Sequence, residues 1–277
     1  MENKPIIIKQ IGGSIANAPM EIAKDIASLQ GKYSFIIAHG GSAQTNALCE
    51  KLGVKPQFLT SPGGVKWRHT NPQVIGIYAM ATGGQANQAI VSALQAAGVN
   101  AIGLSGQDGA LVRARQKVVT AVGEDGRQKI IRDDFTGKIE EINAELLHLL
   151  LANGYVPVVA ALAIGEAGQP LNVDGDRLAA ALASALRAKT MISLTDVDGY
   201  YRNFPDDLVQ KLTRVELDEA MKNAGAGQVA SGGMKKKLMA CIEAIDGGVD
   251  EVIIGNGTVP SPITKLLAGA GTHIAKQ

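Results

Sequence analysis

Short apolar runs that stop at glycines set the rhythm of this chain. Residues 5–14, PIIIKQIGGS, carry three successive β-branched residues, Ile6 to Ile8, and turn at Gly12 and Gly13. An apolar run without alternation predicts a strand covered on both faces, as in a parallel sheet. Residues 33–42, YSFIIAHGGS, repeat the design and lead into a helix through Asn46 and Leu52; residues 100–109, NAIGLSGQDG, form a third strand ending in glycines. Near 20–30, Ile22, Ile26 and Leu29 keep one helical face apolar. Residues 73–97 predict one long helix, in which Gly83 and Gly84 are weak points or mark tight packing. Residues 116–122 and 127–132 flank GEDG as a β-hairpin. The pattern then predicts helix 138–153, strand 155–161, helix 176–188, strand 189–195, helix 233–246, strand 250–254 and helix 261–268. Such alternation defines an α/β chain with a mainly parallel sheet and helices on both faces. It shows no internal repeat, linker or low-complexity tract, and we place a lobe boundary near residue 185.

Charge and composition narrow the function classes. Among 277 residues, 27 basic side chains face 26 acidic ones, for a net charge of +1, so no bulk attraction to nucleic acid or membrane is expected. Cys49 and Cys241 stand far apart without metal-ligand spacing, which argues against structural zinc and a disulfide framework and fits a reducing compartment. No apolar run reaches the roughly 18 residues of a membrane span, and the opening residues lack a signal-peptide pattern. The expectation is a cytoplasmic protein. The 33 glycines gather at strand ends, where open α/β sheets bind their ligands.

Five stretches carry candidate chemistry, each with a plain alternative. Lys9, beside the first glycine turn, reaches a ligand or snorkels to the surface. In HGGSAQTN (39–46), Gly40 and Gly41 between strand and helix suit backbone hydrogen bonds to an anion, or form a simple tight turn. His39 is expected to be packed rather than a base. SPGGVKWRHT (61–70) brings Arg68 next to Lys66, Trp67 and His69, as a carboxylate clamp or an exposed basic loop. LNVDGDRLA (171–179) leads Asn172, Asp174 and Asp176 into a helix that either aspartate can cap. Finally, SGGMKKKLMACIEAI (231–245) sets Lys235, Lys236 and Lys237 at a helix start, where the dipole disfavours cations. A bound anion would compensate; a solvated charged face is the alternative. GxxxxGK[ST] is absent, so no P-loop is present, and GAGQVA (225–230) and GNGTVP (255–260) lie in the wrong context for a dinucleotide fingerprint.

Taken in order, the lysine with Gly-Gly, HGG, an arginine before a threonine, GLSGQDG, NVDGD, LTDVDG and GGMKKK resemble the amino acid kinase family over nearly the whole chain. It is most similar to the acetylglutamate kinase branch, and within that branch HGGSAQTN and FLTSPGG make it resemble the LysZ-type kinases that act on substrates attached to a small acidic LysW-type carrier protein. The resemblance implies a three-layer αβα sandwich, usually dimeric, with substrate in the N-terminal lobe (1–185) and nucleotide in the C-terminal lobe (186–277). It implies transfer of the γ-phosphoryl of ATP, with Mg²⁺, to a side-chain carboxylate of carrier-linked 2-aminoadipate or glutamate, in lysine or ornithine/arginine synthesis. N-acetylglutamate kinase is the alternative enzyme, and a non-catalytic nucleotide- or carrier-binding regulator the alternative of another class.

By the same resemblance, Gly12 and Gly13 contact the phosphoryl group, Gly40, Gly41, Arg68 and Asn172 bind substrate, and Lys9 and Lys237 are catalytic with Asp176 orienting them. Thr195, Asp196, Val197, Gly199 and Gly233 belong to the nucleotide site, within segments 195–199 and 225–237. No protein metal site is expected. Lys66, Arg68, Arg113, Arg115 and Lys117 would steer an acidic carrier, with Arg113 and Arg115 on an exposed strand edge. One departure stands out: the family has one residue between its lysine and Gly-Gly, whereas Gln10 and Ile11 follow Lys9 here. Regular pleating would turn Lys9 away and leave Gln10 in its place, unless a β-bulge re-aims it.

Overall fold

Ile6, Ile7 and Ile8 are each fully buried because the strand they form has sheet neighbours on both sides and helices on both faces. The computed structural model describes residues 5–9, 18–64, 66–123, 127–223 and 232–276. Among these residues the principal sheet has eight strands in the order Lys211–Thr213, Thr272–Ala275, Glu251–Asn256, Thr190–Thr195, Ile6–Lys9, Phe35–His39, Val156–Ala160 and Ala101–Ser105. Pairing is parallel throughout except where Thr272–Ala275 runs antiparallel to Glu251–Asn256. The sheet therefore continues across the proposed lobe boundary, through the pairing of Ile6–Lys9 with Thr190–Thr195.

The two-residue period of the strands divides the interior into two cores. Ile7, Ile36 and Ala38 pack with Leu178 and Leu182 of helix Gly175–Ala185 and with Leu238 and Ile245 of helix Gly232–Asp246. Ile6, Ile8, Phe35 and Ile37 pack on the opposite face with Ile22 and Ile26 of helix Ala18–Leu29 and Ile90 and Leu94 of helix Asn87–Ala96. Asp25 fastens that second layer: its buried carboxylate accepts from the N–H (2.9 Å) and hydroxyl (2.5 Å) of Thr264 in the short helix Pro262–Leu267. Cys49 and Cys241 are buried and free.

Three expectations need correction. Residues 138–153 do not form one helix: Gly137–Ile142 is a strand, and only Ala144–Ala152 is helical. That strand pairs antiparallel with Val112–Gln116, which brings Glu140 to Arg115 (3.0 Å) and Glu141 to Arg113 (3.8 Å). Cross-strand pairing of this kind overrides the helix propensity of Lys, Ile and Glu. Arg113 and Arg115 accordingly lie on an interior strand, in a second sheet ordered Pro170–Asn172, Leu162–Ile164, Val112–Gln116, Gly137–Ile142. Finally, the helix over 73–97 changes winding midway: Pro72–Ala79 and Asn87–Ala96 are α, but Met80–Ala86, which contains Gly83 and Gly84, is π-helical. The expected hairpin at 116–132 is present as Val119–Val122 paired with Gln128–Ile131. Unforeseen elements include the hairpin Phe58–Thr60/Lys66–Arg68 and helix Arg214–Asn223.

Candidate active site

The site forms at the carboxyl ends of the central parallel strands, where chain reversals leave backbone donors free. Lys9 ends its strand on the same face as Ile7, opposite Ser193 and Ala38 in register. It is 4% exposed, so the surface-snorkelling reading falls away. Its ammonium lies 3.6 Å from the Asp176 carboxylate. Helix Gly175–Ala185 starts there because Asp174 accepts from the N–H groups of Asp176 and Arg177. Asp174 is thus the cap, which frees the Asp176 side chain for the cleft. From helix Gly232–Asp246, Lys237 donates to the same Asp176 oxygen at 3.0 Å and approaches the Ser193 hydroxyl at 3.4 Å.

Two lysines on one buried carboxylate make a compact electrostatic unit. Burial alone would raise the Asp176 pKa, but the charges of Lys9 and Lys237 and their hydrogen bonds hold it below the usual carboxylate range. Burial pulls the Lys9 amine below its ordinary value despite the attraction of Asp176. An added anion would therefore be welcome beside these lysines, which Asp176 only partly neutralises. Lys9, Asp176 and Lys237 line a cleft of about 570 Å³ together with Thr195, Asp196, Val197, Gly199 and Gly233. The same cleft takes in Tyr201, Phe204, Met234 and Lys236. Tyr201 ends the stretch SLTDVDGYY (193–201), which follows a strand as a nucleotide-binding segment would; Phe204, stacked edge to face on it at 5.2 Å, was not foreseen.

A second group of expected residues meets on the other side of Lys9. Gly175 approaches so closely that a Cβ there would lie 3.1 Å from Lys9 Cε and 3.2 Å from the Gly40 nitrogen. Gly40 and Gly41 lead into helix Ser42–Lys51, which has no side-chain cap. Arg68, 8% exposed, donates to the Ser42 carbonyl (2.9 Å) and hydroxyl (2.7 Å), while its Nε is buried without a partner. Asn172 donates to the Thr70 hydroxyl at 3.0 Å, two residues beyond Arg68. Trp67, on strand Lys66–Arg68, and His69, just past its end, are anchors, bonded to Asp134 (2.9 Å) and Asp133 (3.1 Å). Of the basic segment only Lys66 is well exposed, lying over the Phe58 ring. Gln10, Ile11, Gly12, Gly13 and residues 225–231 lie outside the described residues, and with them the expected bulge and part of the nucleotide segment.

This arrangement, a cationic strand-end site between a nucleotide-sized cleft and a glycine turn with an arginine, is that of a phosphoryl-transfer enzyme. The amino acid kinase family model matches residues 4–256, and the chain belongs to that family. It is 39% identical over 270 residues to the [LysW]-aminoadipate kinase of Thermus thermophilus, covering 97% of this chain and all of that protein. It is 36% identical over 273 residues to the [LysW]-aminoadipate/[LysW]-glutamate kinase of Metallosphaera sedula, covering 98% of this chain and 100% of the other. Among solved structures, the fold matches carbamate kinase from Giardia lamblia bound to AMP-PNP (TM-score 0.67, 17% identity, 100% and 99% covered). It also matches N-acetylglutamate synthase from Neisseria gonorrhoeae (TM-score 0.76, 23% identity), of which this chain spans 62%. The αβα architecture is thus that of the amino acid kinases.

Proposed function

We propose that this enzyme uses ATP to phosphorylate the side-chain carboxylate of carrier-linked 2-aminoadipate, and also accepts carrier-linked glutamate. The observation that carries the reading is the Lys9–Asp176–Lys237 cluster at the junction of cleft and glycine turn, in a chain whose relatives are named for this reaction. The apolar and aromatic rim of Tyr201, Phe204 and Met234 suits a base, and Lys9, Lys236 and Lys237 suit a polyphosphate. Mg²⁺ in kinases is held largely by phosphates and water and neutralises their charge. Among the described residues no three potential ligands gather around a metal position. Among the described residues no lysine engages the cleft carboxylate of Asp196, which would be the ion's protein contact.

The acceptor carboxylate is ionised at neutral pH and needs no general base. Its oxygen bonds to the γ-phosphorus, the bond to the bridging oxygen breaks, and ADP leaves with that electron pair. What this chain supplies is positioning and charge neutralisation. Arg68 would hold the acceptor's α-carboxylate end, its orphaned Nε finding a partner there, and Asn172 would contact the same substrate. Gly40 and Gly41 would present N–H groups, and Lys9 and Lys237 would face the transferring phosphoryl group. Trapping the acyl phosphate with hydroxylamine, using each acceptor in turn, tests the reading. Product with carrier-linked aminoadipate is expected; product with free N-acetylglutamate alone, or nucleotide binding without product, would overturn it.

Within the lysine run, the third position is singled out. Lys237→Ala is expected to lower turnover by roughly 10²–10³-fold, the usual cost of removing one preorganised donor at a developing charge. Lys235→Ala and Lys236→Ala are expected to lose far less, because only Lys237 is bonded to Asp176. Turnover at saturating ATP decides.

Carrier docking, homodimer assembly and a cytoplasmic setting are parts of the same proposal. Arg68 is buried, and Arg113 and Arg115, though exposed, already face Glu141 and Glu140, which offsets their charge. Exposed Lys66 and half-buried Lys117 remain to steer an acidic partner. Lys66→Glu and Lys117→Glu are expected to slow carrier association and flatten its salt dependence more than Arg113→Glu does, measured by stopped flow at low and high salt.

A further inference from the structure

We infer that His39, held by Asn87, is a positioning residue that aims the Gly41 N–H of the Gly40–Gly41 turn toward the acceptor side of the site. The inference rests on the kinase reading for what that N–H meets, but not for the device itself. Consecutive glycines have no side chains to hold their peptide planes, so an anion-binding turn built from them needs an external lock.

The hydrogen bonds around His39 provide one. His39 and Asn87 are each 2% exposed. Strand alternation puts the imidazole on the face of Phe35 and Ile37, against helix Asn87–Ala96, and away from the face that carries Lys9. The Asn87 amide nitrogen donates to the Val158 carbonyl at 2.9 Å and to His39 Nε2 at 3.0 Å, with a longer contact of 3.4 Å to the Leu104 carbonyl. A carbonyl oxygen accepts only, so the amide must present its nitrogen on this side, and Nε2 must accept. The ring proton then sits on Nδ1, which donates to the Gly40 carbonyl at 2.8 Å. Burial, assisted by the charge of Lys9 and opposed by the Gly40 bond, pulls the His39 pKa down to about 4, so the ring is neutral in ordinary buffers.

Peptide planarity converts that bond into a direction. In a trans peptide the carbonyl and the following N–H point opposite ways. With the Gly40 carbonyl turned to His39, the Gly41 N–H is turned to the other face, where Lys9 and Gly175 lie. Among the described residues no hydrogen-bond partner takes the Gly41 N–H. The Thr82 side chain closes the turn from behind: its hydroxyl occupies the place a Gly41 Cβ would need, and that hydroxyl is delivered by the π-helical turn Met80–Ala86. Asn87, at the exit of the same turn, and Thr82, within it, thus bracket the glycines from one helix.

The test separates aiming from folding. His39→Phe keeps the ring bulk and removes both hydrogen bonds, whereas His39→Asn restores a donor near the Nδ1 position. His39→Phe is expected to lower kcat/KM for the acceptor by roughly 10- to 100-fold, since small misplacements at a reacting centre are this costly. The KM for ATP should stay within about twofold, a split that loss of folded protein would not produce, and His39→Asn should recover most of the loss. Imidazole ¹⁵N spectra of the wild type should show the neutral Nδ1–H form at pH 7, and Asn87→Ala should mix the two tautomers. Wild-type acceptor kinetics in folded His39→Phe would overturn the inference. So would an Nε2–H or doubly protonated ring in the wild type, which decides the matter even where His39→Phe does not fold. A wild type that phosphorylates no acceptor overturns the kinase reading instead, and the tautomer still judges the His39 device.

Discussion

Lys9→Met is expected to lower turnover by roughly 10²–10³-fold at saturating ATP while leaving the thermal midpoint unchanged or raised. The catalytic loss follows from position: the ammonium is buried beside Asp176 in the wall of the proposed nucleotide cleft. The stability effect follows from sign. The folded-state pKa of Lys9 lies below its ordinary value because burial outweighs the attraction of Asp176. The unfolded chain therefore binds this proton more tightly, and stability rises with pH from the depressed folded value up to the unfolded one. Below that window the buried charge opposes folding, so an isosteric apolar side chain relieves a cost while Asp176 keeps Lys237. Activity assays paired with thermal melts check both halves. Retained turnover in Lys9→Met, raised further by Gln10→Lys, would show instead that the neighbouring position carries the catalytic charge.

Asp176→Ala is expected to remove activity and also to destabilise the fold by roughly 3–5 kcal/mol, the usual result of stripping one partner from a buried ionic group. Lys9 and Lys237 would then confront each other without a counter-charge, and the first turn of helix Gly175–Ala185 would lose its acidic residue. The pH dependence has a definite direction. Because the folded pKa of Asp176 is depressed, its contribution is present in full above the unfolded carboxylate value near 3.9 and disappears as pH falls through the folded value. Urea unfolding of wild type and Asp176→Asn across the acid range should therefore converge at low pH. A constant gap between the two would show that the carboxylate charge is not what stabilises the cluster.

Much of the architecture was legible because its signals are local. Uninterrupted Ile6–Ile8 and Phe35–Ile37 can only be strands buried on both faces, and glycines at their ends mark where a ligand approaches an open sheet. The hairpin around GEDG was likewise announced by its turn residues. Residues 138–142 were misread because a Lys-Ile-Glu-Glu-Ile segment satisfies helical spacing as well as strand spacing. The deciding partner, Val112–Gln116 with its arginines, lies more than twenty positions away in sequence. For the same reason the sequence reveals that Arg113 and Arg115 are exposed but not that they sit on an interior strand facing Glu141 and Glu140. Phe204 carries no such local signal, because an aromatic side chain becomes part of a rim only when a cleft is placed beside it.

What the sequence by itself determined is the set of strands and helices built on short-range periodicity, the glycine turns, and the order of motifs that marks an amino acid kinase. Tertiary structure decided which of two local roles each polar residue takes. Asp174 caps its helix and Asp176 meets the lysines, although by sequence either aspartate could cap. Lys9 faces inward rather than snorkelling, and Lys237 is distinguished from Lys235 and Lys236 by one carboxylate from another helix. Arg68 closes on Ser42, and His39 is neutral because burial disfavours its charged form, with Asn87, 48 residues away in the chain, hydrogen-bonded to its ring. The physical reason is common to all: a backbone's period is written in neighbouring residues, but the partner of a buried charge or hydrogen bond is set only when distant segments are brought together and water is excluded.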